Sequence, residues 1–146
     1  MKKTLFVLYI SLVLMSCNKK INASDISKIN GYWEIEEVVF PDGNTKKYTI
    51  NETYDFFKVK NNLGFRKKET PQLDGTFLVN DAFEKIAIIE KDNKFFINYS
   101  TPFSKWKEEI HSISDENLVL INDVKNEYHY KRAAPINILD NGKKTK

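Results

Sequence analysis

An antiparallel, up-and-down β-barrel of eight to ten strands is predicted by three features of the sequence. Runs rich in β-branched and aromatic residues recur along most of the chain, turn chemistry interrupts them about every ten residues, and uninterrupted helical periodicity is nearly absent. Closing the sheet into a barrel removes the exposed edges that such a run of strands would otherwise present. With 146 residues and 41% hydrophobic content, one core in one domain is expected.

The strands are read in order. "GYWEIEEVVF" (31–40) opens the series and "PDGN" (41–44) ends it; "TYDFFKVK" (53–60) follows, then the turn "NNLG". "GFRKKE" (64–69) is a weak strand stopped by Thr70-Pro71, and "GTFLVN" (75–80) begins after Asp74. "EKIAIIEK" (84–91) and "KFFINYS" (94–100) are joined by Asp92-Asn93, a two-residue loop suited to a tight hairpin. "KWKEEIHSIS" (105–114), "NLVLIND" (117–123) and "NEYHYKR" (126–132) complete it. Trp106, Ile110 and Ile113 are also spaced for a helical face, but "SDEN" and the next run follow at hairpin distance, so a strand is expected there. The barrel is therefore expected over 31–132, with 133–146 a polar, partly disordered tail.

The N-terminus predicts location. Lys2 and Lys3 precede an apolar run, Leu5–Met15, that is too short to span a bilayer and fits a signal-peptide core. Leu14-Met15-Ser16-Cys17 resembles a bacterial lipobox, which implies cleavage after residue 16 and lipid attachment at Cys17, as a diacylglyceryl thioether with an added N-acyl chain. Two or three chains make such an anchor effectively permanent. Asn18-Lys19-Lys20 carries neither the aspartate of inner-membrane retention nor an acidic export run. The expected location is the periplasmic face of a Gram-negative outer membrane. Residues 17–30 read as a polar tether ending in a short helical turn, with Ser24 or Asp25 as its cap.

Charge and composition exclude several classes. There are 23 basic residues, two of them in the segment expected to be cleaved, against 20 acidic ones. The mature chain is near neutral and has no concentrated basic face, so no nucleic-acid partner is expected. One cysteine forms no internal disulfide, and two dispersed histidines give no zinc pattern, so no metal or cofactor is expected.

Gly31-Tyr32-Trp33 after a helical turn, together with Arg132 at the end of the last strand, resembles the lipocalins. With the lipobox, the chain looks like a bacterial lipocalin-like lipoprotein of the calycin type. The resemblance implies that Arg132 packs over Trp33 and closes the barrel base, ligands entering at the other end. By strand alternation, Phe57, Phe95, Ile97 and Tyr99 share inward faces and are the expected lining of an apolar ligand site, with Phe56 and Phe96 outward. His111, Glu108 and Glu109 are expected on a solvated strand face rather than in a catalytic site, with His129 outward between two core tyrosines. "RKK" (66–68) with Lys58 and Lys60 reads as a basic surface hairpin. The expected role is non-catalytic binding of a small apolar or amphipathic ligand. The alternative is a structural or inhibitory module that binds another envelope protein.

Overall fold

The structure, a computed structural model, describes residues 20–72, 77–79 and 82–133. The expected signal peptide, Cys17 and the tail from residue 134 lie outside the described residues. A 3-10 helix, Ala23–Ile29, leads into β1 (Gly31–Val39) and the short β2 (Thr45–Lys47). β3 (Tyr54–Lys60), β4 (Leu63–Pro71), β5 (Phe77–Val79), β6 (Glu84–Lys91) and β7 (Lys94–Ser100) follow. β8 (Lys105–Ile113), β9 (Asn117–Asn122) and β10 (Glu127–Arg132) complete the chain of strands.

The protein is an all-β, closed antiparallel barrel. The order β1-β3-β4-β6-β7-β8-β9-β10 closes when β10 pairs with β1, from Trp33↔Arg132 to Val39↔Glu127. β2 pairs with β1 and β5 with β4 outside this circuit. β2 was not anticipated, since "TKK" carries no apolar alternation and its three residues are all exposed.

Tight turns set the hairpin registers. Asp92 and Asn93 both take positive φ, as do Asn61 and Asn62, which is the twist that two-residue hairpins require. Gly64 faces the backbone of β3 so closely that a Cβ would stand 1.9 Å from the Lys58 carbonyl oxygen. Two β-bulges, between Ile35 and Glu37 and between Ile110 and Ser112, change the phase of alternation. After them Val38 and Ile113 face the core beside Ile35 and Ile110, so the helix-like spacing of Ile110 and Ile113 is a bulged strand.

The chain rises and falls regularly, so the two barrel ends differ. The turns β3–β4, β6–β7 and β8–β9 gather at one end with the 3-10 helix, and the longer connections gather at the other. The helical turn expected at the end of the tether is the 3-10 helix, but it packs against the barrel rather than standing off it. Ile26 and Ile29 are buried and join the core, because every third or fourth residue of this helix lies over the barrel base. The Asn22 N–H donates to Asp25 Oδ2 at 3.0 Å, making Asn22 the capping residue and Asp25 its partner.

Trp33 is fully buried at this base, and its Nε1 donates to the Ile29 carbonyl at 2.7 Å. The Arg132 guanidinium sits 4.0 Å from the Trp33 ring centre. It also donates to three carbonyls, those of Asn30 (2.5 Å), Lys28 (2.7 Å) and Asp115 (2.8 Å). Gly31, at φ +113°, leaves the room this arginine needs, since a Cβ there would meet its Nη1 at 2.8 Å. Phe57, Ile88, Phe95, Ile97, Ile110, Leu118 and Leu120 fill the barrel above this plate.

Candidate functional site

Above that apolar filling the interior changes character. Asp55 on β3, Arg66 on β4, Glu84 on β6, Glu108 on β8 and Tyr130 on β10 belong to the inward-facing residues of their strands. Asp55, Arg66, Glu108 and Tyr130 line one cavity, and Glu84 pairs directly with Arg66. Arg66 ion-pairs through Nε with Glu84 Oε2, and its Nη1 lies 3.9 Å from Glu108 Oε2. Its guanidinium also lies over the Tyr99 ring at 4.4 Å from the centre. Lys68 reaches down from the rim to Asp55 at 2.9 Å. Side-chain exposure is 9% for Arg66 and 10% for Glu108, so these are buried charges.

Over this polar belt lies a cavity of about 380 Å³. Trp33, Ile35, Asp55, Arg66, Lys68, Glu108, Tyr128 and Tyr130 line it from the barrel strands, and Tyr48, Asn51 and Thr53 from the β2–β3 connection. Asn51 fastens that loop by donating to the Ile35 carbonyl at 2.8 Å and to Glu34 Oε1 at 3.0 Å.

Phe57, Phe95, Ile97 and Tyr99 all point inward and none lines this cavity, but Tyr99 lines a second one of about 580 Å³ with Ile86 and Trp106, and Phe95 a smaller one at the closed end. The first three pack into the lower core, because an eight-stranded barrel is only wide enough there for its own side chains. Tyr99 lies higher, stacked on Trp106 with ring centres 5.0 Å apart. Its hydroxyl and Glu108 Oε2 are both sealed from water, and the tyrosine hydroxyl and the Glu108 carboxyl face each other. The lining is thus aromatic and charged rather than the apolar one expected. Arg66 does not lie on the basic surface hairpin, nor Glu108 on the solvated face, that the sequence predicts. Each alternates inward and meets the other across the barrel.

The outward candidates are also placed. Phe56 packs against Tyr32 (4.6 Å) and Phe65 (6.2 Å), and the Lys107 ammonium lies 5.0 Å from the Phe96 ring centre. Glu109 pairs with Lys94 at 2.9 Å while His111 is exposed beside it. His129 Nε2 is 3.1 Å from Glu127 Oε2 on the outside. Among the described residues, no group of three His, Cys, Asp or Glu is placed to hold a metal ion. No helix among them is long and apolar enough to cross a membrane.

Burial raises the Glu108 carboxyl above its ordinary 4.5, Arg66 opposing this in part. Burial likewise raises the Tyr99 and Tyr130 hydroxyls, which stay protonated. A raised carboxyl binds its proton more tightly when folded, so its stabilising effect is complete below pH 4.5 and is lost as pH rises through the folded value. Glu108→Gln removes this loss. In denaturant titrations from pH 4.5 upward, the variant gains on the wild type as pH rises, and parallel profiles would refute the buried, raised carboxyl.

No protein-family model matches the chain, and no curated protein matches it. Two solved structures are similar to it at 12% sequence identity. One is a lipocalin-like protein from Bacteroides uniformis ATCC 8492, matched over 73% of this chain and 99% of that one with a TM-score of 0.47. The other is an uncharacterized protein from Bacteroides eggerthii DSM 20697, matched over 71% of this chain and 98% of that one with a TM-score of 0.46.

Proposed function

We propose that the protein is a non-catalytic binder of a small amphipathic molecule, held in the upper half of the barrel and displayed from a lipid anchor at the periplasmic face of an outer membrane. The observation that carries this reading is the cavity of about 380 Å³, lined by aromatic and buried charged residues. Its size falls within the range of small-molecule sites, roughly 300–1,000 Å³. These buried charges cost stability that an apolar filling would not. A barrel meant only to be stable gains nothing from Arg66 and Glu108 at that depth.

The anchor geometry agrees with this use. Ile21 packs against the core, and the Lys20 ammonium donates to Asn93 in the β6–β7 turn at 3.3 Å. Both contacts lie at the closed end. Only Asn18, Lys19 and Lys20 would separate a lipidated Cys17 from the barrel base, each spanning at most about 3.6 Å. The mouth would then open away from the anchoring membrane. Cys17→Ala is expected to move the protein from the membrane fraction to the soluble one; acyl labelling or membrane retention of that variant would refute the anchor.

The soluble Cys17→Ala protein also tests binding. Native mass spectrometry after exposure to envelope extract is expected to show an added small-molecule mass, lost when Ile35→Trp fills the cavity. A bare protein mass would sink the carrier reading. A second reading, docking to another envelope protein, is favoured by the apolar rim. Phe103 (96% exposed) and Ile50 (85%) stand on connections at the open end, as does Val124, and Leu78 is exposed on the short β5. Its mark in the same experiment is a protein-sized increment.

A further inference from the structure

We infer that the outer face of β3, β4, β6, β7 and β8 is a docking surface for the headgroups of an anionic lipid leaflet. This face is independent of the cavity, and the proposed anchor bears on it only by bringing a leaflet near. Strand register assembles it. One row of cross-strand neighbours runs Lys58, Phe65, Lys85, Ser100, Lys105, and the next runs Lys60, Leu63, Ala87, Asn98, Lys107. With Lys67 opposite Phe56, six lysines share one face, roughly 20 Å across at the usual strand spacing of about 4.8 Å. Five of them are exposed and Lys67 is half-buried.

Among the described residues, none of the six forms an ion pair. The two outward carboxylates of these strands are already engaged. Glu109 pairs with Lys94 at 2.9 Å, and Glu69 is buried and hydrogen-bonded with Tyr32. Glu34, Glu36 and Glu127 stand on β1 and β10, opposite β6 and β7 in the circuit. The even charge count of the sequence thus conceals a basic face, where none was expected. The cavity of about 580 Å³ opens on it, with Lys85, Lys105 and Lys107 around the Asn98 amide and the Ser100 hydroxyl. These are donors suited to a phosphate. Leu63 (64% exposed), Phe65 and Phe96 stand between the lysines, apolar groups that enter the boundary between headgroups and acyl chains. A leaflet meets charges spread over two rows and also takes up these apolar groups, which a hydrated polyanion does not. The rows reach the β3–β4 turn at the closed end, the end where Lys20 touches the β6–β7 turn. A lipidated Cys17 would hold that end at the leaflet, and the barrel then leans onto this face with its mouth clear of the lipid.

The test is co-sedimentation of the chain from residue 17 on, carrying Cys17→Ala, with vesicles. One set is phosphatidylcholine alone and the other equal parts phosphatidylcholine and phosphatidylglycerol. Binding to the mixed vesicles is expected to be about tenfold or more tighter, and to weaken as salt rises. A lysine at an anionic surface is worth about fivefold, so Lys85→Gln, Lys105→Gln and Lys107→Gln together should lose roughly a hundredfold. Lys46→Gln, Lys47→Gln and Lys125→Gln make the same charge change off this face and should lose no more than about threefold. All six substituted lysines are exposed, so the fold is retained in both variants. Ile35→Trp, which fills the cavity, should bind the vesicles unchanged, so failure of the cavity reading and failure here are told apart. Equal binding to both vesicle types, or equal losses in the two triple variants, overturns the docking face. Absence of binding to the mixed vesicles also overturns it, and capture of poly-glutamate in that case makes the occupant an acidic protein.

Discussion

Replacing Trp33 with alanine is expected to lower folding stability by about 3–5 kcal/mol, the range for deleting a buried large aromatic ring. The ring is fully buried, and its removal opens a void between the base helix and the lowest layer of the barrel. The Ile29 carbonyl loses the indole N–H, and the Arg132 guanidinium loses the face on which it rests. Arg132 joins the helix, the β8–β9 turn and the last strand through three carbonyls, so its loosening spreads beyond the cavity. Trp33→Phe should lose less, since it keeps a ring under Arg132 and gives up only the hydrogen bond and part of the volume. Denaturant unfolding measures both. A loss below about 1 kcal/mol for Trp33→Ala would mean that the base is held by other contacts.

The second large effect is expected at Arg66. Arg66→Met removes the one cation facing both Glu84 and Glu108 and leaves two carboxylates in a low-dielectric interior. Removing one partner of a buried ion pair typically costs about 3–5 kcal/mol. Glu84 keeps 25% of its side chain exposed, which places this site toward the lower end. The compensating experiment is the triple variant Arg66→Met, Glu84→Gln, Glu108→Gln. Neutralising the whole cluster should restore most of the stability, because a buried charge network is seldom more stable than its neutral replacement. If Arg66→Met costs less than about 1 kcal/mol, the belt is solvated and the argument from buried charge falls.

Strand positions were readable because local chemistry determines them. Asp92-Asn93 and Asn61-Asn62 favour left-handed turns, and the runs between such turns match the observed strands within one or two residues. Alternation by two placed Phe57, Phe95, Ile97 and Tyr99 on the inward side, where they lie. Trp33 and Arg132 were paired across a hundred residues by resemblance, since neither residue reveals its partner locally. Ile26 and Ile29 were missed as core because a short helix in a polar stretch resembles a tether until something covers it.

The division between sequence and structure is clearest at the cavity. Antiparallel strands, their turns and, away from the two bulges, the alternation of sides are local properties of backbone sterics and a period of two. Which inward residues meet one another emerges only on folding. Pairing between strands distant in sequence gathers Asp55, Arg66, Glu108 and Tyr130 around one cavity, and no local pattern encodes that pairing. Arg66 inside "RKK" and Glu108 inside "KEE" have the composition of a solvated surface. Their burial follows from the opposite charge each meets across the barrel, a partner supplied by a strand far away in sequence.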